Sequence, residues 1–278
     1  MLFIYKLSWY DKKKRMVERM KLIVQSDDYG MTRAVARGCI YGIEKGVVRA
    51  TGAFMNMPWI EECIEWIRPY LDQISFGIDL NASTGPALLP HDQIPTLTKE
   101  NGYFYGSKEN RTFDTDENDH DHLASHEDEL YAEFKAQIEK FIQVVGKKPD
   151  YIHNHAYGTK TTAKVTEKLG KEYNIITTTQ FMDRDDVVQG GMGWYVFGNA
   201  QEQLAEKPIE WLVEDKAHML DSEIGCVISH CGYVDAELFK LTSFTTCRAI
   251  DLECMTSDEI KSWIKENPIE VVSFEEVL

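Results

Sequence analysis

From Lys21 onward, short apolar runs alternate with stretches in which apolar residues recur every three or four positions. The short runs predict strands, because a strand covered on both faces shows a near-continuous apolar run. They fall at Leu22–Ser26, Val47–Asn56, Ile74–Asn81, Tyr151–His155, Ile175–Thr179, Gly225–Ser229 and Ile269–Ser273. Helical spacing covers Thr32–Lys45, closed by Gly46, and Pro58–Ile67, where proline suits the first turn. Further helices are predicted up to Gly146, after Ser125 and Asp128, which resemble a capping box, and over Ala163–Tyr173. The last are Ile209–Leu220, Thr246–Met255 and Asp258–Glu266. A loop of about 40 residues follows Asn81, a length usually tied to function or mobility. Alternating β and α units predict an α/β fold with a parallel sheet wound by helices, open or closed into a barrel.

Composition narrows the class of partner. The chain has 278 residues, 43% hydrophobic and 27% charged, as a soluble globular protein does. Forty-six acids against 30 bases give a net charge of −16, which would repel nucleic-acid phosphates. Six scattered cysteines without a CxxC pair fit reduced thiols in a cytoplasmic protein. No apolar stretch approaches the roughly 20 residues of a membrane helix. Residues 1–19 read as an appendage with no chemistry of its own, and residues 20–278 as one domain.

Candidate chemistry lies where strands end, since reactive groups in such folds gather at the C-terminal mouth of the sheet. The run KLIVQSDDYGM ends in Asp27 and Asp28. An Asp-rich turn would explain them, and so would a cation between two acids that otherwise repel. The strand SFGIDLN carries Asp79 opposite Ile78 and Leu80, and YIHNHAY carries His153 and His155 on one face. The strand CVIS delivers His230. Carboxylates with imidazoles and no thiolate suit a hard or borderline divalent ion: magnesium first, with zinc, manganese or iron as alternatives. One of the paired acids would then bind the ion and the other act as general base. His120, His122 and His126 fit a solvated loop better than a metal site. Arg248 suits a clamp on a substrate anion or carboxylate, and a structural ion pair fits equally well. Tyr103, Phe104, Tyr105, Trp194 and Tyr195 are candidates for stacking on sugar rings, though ordinary packing explains any one of them.

These segments, taken in order, resemble the YdjC-like carbohydrate deacetylases, the chitooligosaccharide deacetylase family, from Lys21 to Leu278. The family's ADDFG looks like SDDYG here, its GLHLNLT like GIDLNAS, its HIDSHHH like YIHNHAY, and its HPGY like HCGY. The helix EFKAQIEKF, Arg248, Glu253 and the ending IEVVSFEEV share the resemblance. It implies a deviant (β/α) barrel, TIM-barrel-like, and a divalent metal. It also implies hydrolysis of the N-acetyl group of a small amino sugar, chitobiose-type and often phosphorylated. By position, Asp27 would be the general base, Asp28 and His155 metal ligands, and His230 the acid that protonates the leaving amine or supports the oxyanion.

Two positions depart from the pattern. Asp79 stands where the family has a metal-binding His, and His153 where it has Asp. The expectation is that acid and imidazole have traded strands, so that Asp28, Asp79 and His155 hold the metal. His153 would then bond to Asp79 or enter the shell itself. The alternatives are a metal hydrolase of another amide or ester, or a non-catalytic sugar-binding protein with a degraded site. A homodimer through outer helices is compatible with the pattern, but nothing in the sequence requires it.

Overall fold

A computed structural model describes residues 19–114 and 121–278. The expected appendage, apart from Arg19, and His120 lie outside the described residues. The elements run β1 (Met20–Tyr29), α1 (Arg33–Lys45), β2 (Ala50–Ala53), α2 (Ile60–Ile67), β3 (Ser75–Leu80), α3 (Ser107–Phe113), α4 (Glu127–Val145) and β4 (Ile152–Asn154). They continue through α5 (Lys160–Tyr173), α6 (Thr178–Met182), β5 (Val187–Gln189), α7 (Ala200–Gln203), α8 (Pro208–Val213), β6 (Ile224–Ser229), α9 (Leu238–Leu241), α10 (Thr246–Thr256), α11 (Asp258–Glu266) and β7 (Ile269–Val272).

Among the described residues, seven strands form one sheet in the order β4-β3-β2-β1-β6-β5, with β7 paired to the first half of β1, and every pairing between these strands is parallel. Between β4 and the segment leading to β5 there is only a single bridge, Ile152 to Thr177. The sheet therefore curls into an incompletely closed (β/α) barrel wrapped by helices, the deviant barrel that the family resemblance implies and one of the forms, open or closed, that the alternation of elements allows.

Side-chain alternation sorts each strand into two layers. Leu22 and Val24 of β1 and Phe76, Ile78 and Leu80 of β3 join the large outer core beneath the helices. Ile23, Ala50, Tyr151, Cys226 and Val272 point inward and form an apolar plug with Phe181 and Phe274 at the strands' N-terminal end. Residues in register with the plug but nearer the other end are Gln25 and Asp27 on β1, Asp79 on β3 and His153 on β4. The polar site is therefore the upper layer of the barrel interior.

Three sequence expectations are corrected. Ile175–Thr179 forms no strand, because Thr177 turns to cap α6 by accepting the Gln180 amide. The helix predicted over Ile209–Leu220 stops at Val213, since Asp215 takes φ 48° and its carboxylate caps the next turn at Met219. Ser125 caps nothing: it lies in a short 3-10 turn, and α4 begins after His126.

Candidate active site

The two acids ending β1 face one site because the strand is bulged there. Ser26 pairs with Thr51 and Tyr29 with Ala53, so three steps along β1 match two along β2. Asp28 absorbs the extra residue with φ 70°, a left-handed conformation that Asp tolerates better than most residues. Without the bulge, neighbouring side chains would point to opposite faces.

Asp27 is 3% exposed. Its Oδ1 accepts from Gln25 Nε2 at 2.5 Å, and its Oδ2 lies 3.2 Å from His153 Nε2. The other ring nitrogen of His153 is 2.7 Å from Thr178 Oγ1. His153 therefore contacts Asp27 rather than bonding to Asp79, and the two imidazoles, His153 on β4 and His155 just past it, divide between the two acids of β1.

Asp28 is 1% exposed and touches Arg248 and His155. Its Oδ2 accepts from Arg248 Nη2 at 2.6 Å, and Arg248, on α10, is itself 1% exposed. Its Oδ1 lies 2.8 Å from His155 Nδ1, yet no donor is aligned to hydrogen-bond it. Burial pushes this carboxyl up, but the charges of His155 and Arg248 outweigh that and hold it well below the usual carboxylate range.

Asp79 is fully buried, and its Oδ2 accepts the Asp28 backbone N–H at 2.6 Å. Its Oδ1 has no hydrogen-bond partner and lies against Gly52, where a Cβ would sit 1.8 Å from it. Burial first, then the charges of Asp27 and Asp28, push Asp79 well above the ordinary carboxylate value. It thus braces the bulged backbone of Asp28, and Gly52 makes room for it.

His230 follows β6 and is partly buried. Its Nδ1 is 2.9 Å from the Tyr195 hydroxyl, and its backbone N–H donates to Asp251 Oδ2 at 2.7 Å. Asp251, on α10, also receives the Tyr195 hydroxyl at 2.5 Å and Trp194 Nε1 at 3.1 Å. Burial pushes Asp251 up to about 6 and pushes His230 down to about 4. His230 therefore stays neutral in the folded chain below its ordinary value of about 6.5, where the unfolded chain takes up a proton. The contribution of this imidazole to stability is therefore lost as pH drops from about 6.5 towards 4, because there the unfolded state binds its proton and the folded state does not. Asp251, held up, works in the opposite sense below about 6, so the difference carries the sign: across that range the urea midpoint of His230→Gln should gain on that of the wild-type chain as pH falls.

The chemistry of the donor set can be tested against a divalent ion. A buried carboxylate oxygen without a hydrogen bond faces an imidazole nitrogen 2.8 Å away, the spacing of two donors to one cation. The far nitrogen, Nε2 of His155, lies 3.3 Å from Thr84 Oγ1, a partner that can fix the ring's tautomer as outer groups do for metal-bound histidines. Asp28 and His155 thus fit a hard or borderline cation. Among the described residues, no three His, Cys, Asp or Glu side chains are arranged to hold one metal ion, so the expected set of Asp28, Asp79 and His155 is not assembled, and Asp79 could join only by leaving Gly52 or releasing the Asp28 amide.

Of the aromatic candidates, Trp194, Tyr195 and Phe104 are buried, while Tyr103 is exposed. The sequence reading missed Phe197, 78% exposed, and Phe244, whose rings stack at 6.1 Å beside Tyr195, with Phe244 also edge-on to His230 at 5.0 Å. It missed Asp251 too, although an Asp three residues after Arg248 must share that helix face.

Known proteins place the chain. Relatives include carbohydrate deacetylase 2 of Listeria innocua, 28% identical over 93% of this chain and 99% of its own length. The carbohydrate deacetylase of Thermoanaerobacter pseudethanolicus is 24% identical over 91% of this chain and 97% of its own. An Enterococcus faecalis crystal structure, described as a cellobiose-phosphate cleavage protein, shares the fold with a TM-score of 0.74 at 23% identity, covering 94% of this chain and 99% of that one. The family model for YdjC-like proteins matches residues 21–266, so the chain belongs to the YdjC-like family.

Proposed function

We propose that the chain is a cation-assisted hydrolase that removes the N-acetyl group from a small amino sugar, a chitobiose-type oligosaccharide, free or 6-phosphorylated. Relatives named as carbohydrate deacetylases along nearly their whole length support the reaction class. The observation that carries the reading is the buried, unbonded Asp28 Oδ1 beside His155 Nδ1, one residue from a second carboxylate.

Asp28 and His155 would hold the ion, magnesium first, and Asp79 would brace Asp28 from behind. A bound ion supplies Lewis-acid polarisation of the acetyl carbonyl and a more acidic water. The rest falls to the chain's own groups. Asp27, steadied by Gln25 and His153, takes a proton as water adds to the acyl carbon. His230 faces the leaving nitrogen, which must gain a proton as the C–N bond breaks. Burial keeps His230 uncharged at neutral pH, so the proton it hands on is the one Asp27 took from the water, passed on through the tetrahedral adduct before the C–N bond breaks. Water and amide thus become acetate and amine. Phe197 and Phe244 offer an aromatic face for a sugar ring.

The free, buried thiols fit a cytoplasmic location, and no helix among the described residues is long and apolar enough to cross a membrane. The test is acetate release from a panel of free and 6-phosphorylated N-acetylated mono- and disaccharides, with and without chelator. Release from one of these sugars, lost with chelator, is expected. Turnover of generic acyl esters alone, or sugar binding without acetate, would contradict the proposal.

A further inference from the structure

The hydrogen bonds behind His230 force a choice of tautomer. A tyrosine hydroxyl has one proton to give. That of Tyr195 lies 2.5 Å from Asp251 Oδ2 and 2.9 Å from His230 Nδ1. Asp251 gathers three donors, the Tyr195 hydroxyl, the Trp194 indole N–H and the His230 amide, an arrangement suited to an ionised carboxylate. The tyrosine proton therefore goes to Asp251, and its oxygen is left to accept.

We propose that Tyr195, held by Asp251, is a positioning residue that keeps the proton of neutral His230 on Nδ1 and leaves the Nε2 lone pair facing the site. The aspartate acts on the imidazole through a phenol rather than directly. The phenol adds reach: Asp251 lies on α10, its carboxylate already spans the backbone of His230, and the hydroxyl carries its influence round to the ring. Packing locks the relay, since Tyr195 and Asp251 are buried and the His230 ring meets Tyr195 and Phe244 edge-on at 5.6 and 5.0 Å.

The inference deepens the deacetylase reading, since it assigns how His230 enters the cycle: as a proton acceptor, not as a ready acid. It is nevertheless measurable without substrate. Nitrogen-15 NMR of histidine-labelled protein at pH 7.5, with the His230 signals assigned by their loss in His230→Gln, reports the tautomer directly. The wild-type chain should show a protonated Nδ1 and a bare Nε2. Tyr195→Phe keeps the ring and removes the acceptor, so the Nδ1-protonated form should lose its dominance. Asp251→Asn weakens the acceptor for the tyrosine proton, which can then turn to Nδ1 and drive His230 to the Nε2-protonated form. If the deacetylase reading also holds, Tyr195→Phe should lower kcat about 10- to 100-fold with KM little changed, as when the outer partner of a working histidine is lost. An Nε2-protonated His230 in the wild-type chain, or a tautomer unmoved in both variants, would overturn the proposal whatever the activity assay returns.

Discussion

Arg248→Met should destabilise the fold by about 3–5 kcal/mol, the usual effect of leaving one member of a buried ion pair behind. Both partners are about as deeply buried as any side chain here, and the guanidinium donates to Asp28 at 2.6 Å. Methionine keeps the packing volume and removes the charge, so the loss is electrostatic. Adding Asp28→Asn should recover most of it, because no unpaired charge then remains, and urea denaturation of the two variants checks both statements. The pH dependence carries a sign as well. Asp28 is held below its ordinary value, so its stabilising contribution is present above about pH 4 and disappears as pH falls through the lower folded value. In Arg248→Met the folded value rises towards the ordinary one, so that acid-side loss should be smaller and should end at higher pH. A single variant within about 1 kcal/mol of wild type would show that the pair is as weak as a surface bridge.

Asp27→Asn should reduce kcat for deacetylation by about 10²- to 10⁴-fold with little change in KM, the range expected when a general base is lost. Asparagine is isosteric and its carbonyl oxygen can still accept from Gln25, so circular dichroism and melting temperature should hold. His153 is the natural companion test. It replaces the family's acid and contacts Asp27 at 3.2 Å, so His153→Ala should lower kcat less than Asp27→Asn while leaving sugar binding intact. Activity of Asp27→Asn within threefold of wild type would move the base role elsewhere.

Much of this was legible in the sequence for a physical reason: strands covered on both faces need apolar runs, and helices need a 3.6-residue stripe. Hence β1, β3, β6, α1, α10 and α11 fall at or near their predicted bounds. The three-residue strand β5 was not legible, because Val187–Gln189 is too short to carry a period. The left-handed residues Asp215 and His218 cut short a stretch whose apolar spacing continues. At the site, the residue inventory could be read but not its pairing. Asp79 and His153 are opposite one another in register on β3 and β4, which makes a mutual bond the natural guess. The bulge in β1 shifts the outcome, sending Asp27 to His153 and setting the Asp28 amide over Asp79. A one-residue bulge leaves no mark in hydrophobic period, and the accommodating Gly52 reads in sequence as any small strand residue.

The pairing of Asp28 with His155 around one divalent ion is tested most directly by calorimetric titration of chelator-stripped protein with magnesium and manganese. Wild type should bind one ion, with affinity reduced tenfold or more in Asp28→Asn and in His155→Gln, and kept within a few-fold in Asp79→Asn, whose amide oxygen can still accept the Asp28 N–H. Equal binding by wild type, Asp28→Asn and His155→Gln, or no binding by any of them, would contradict it.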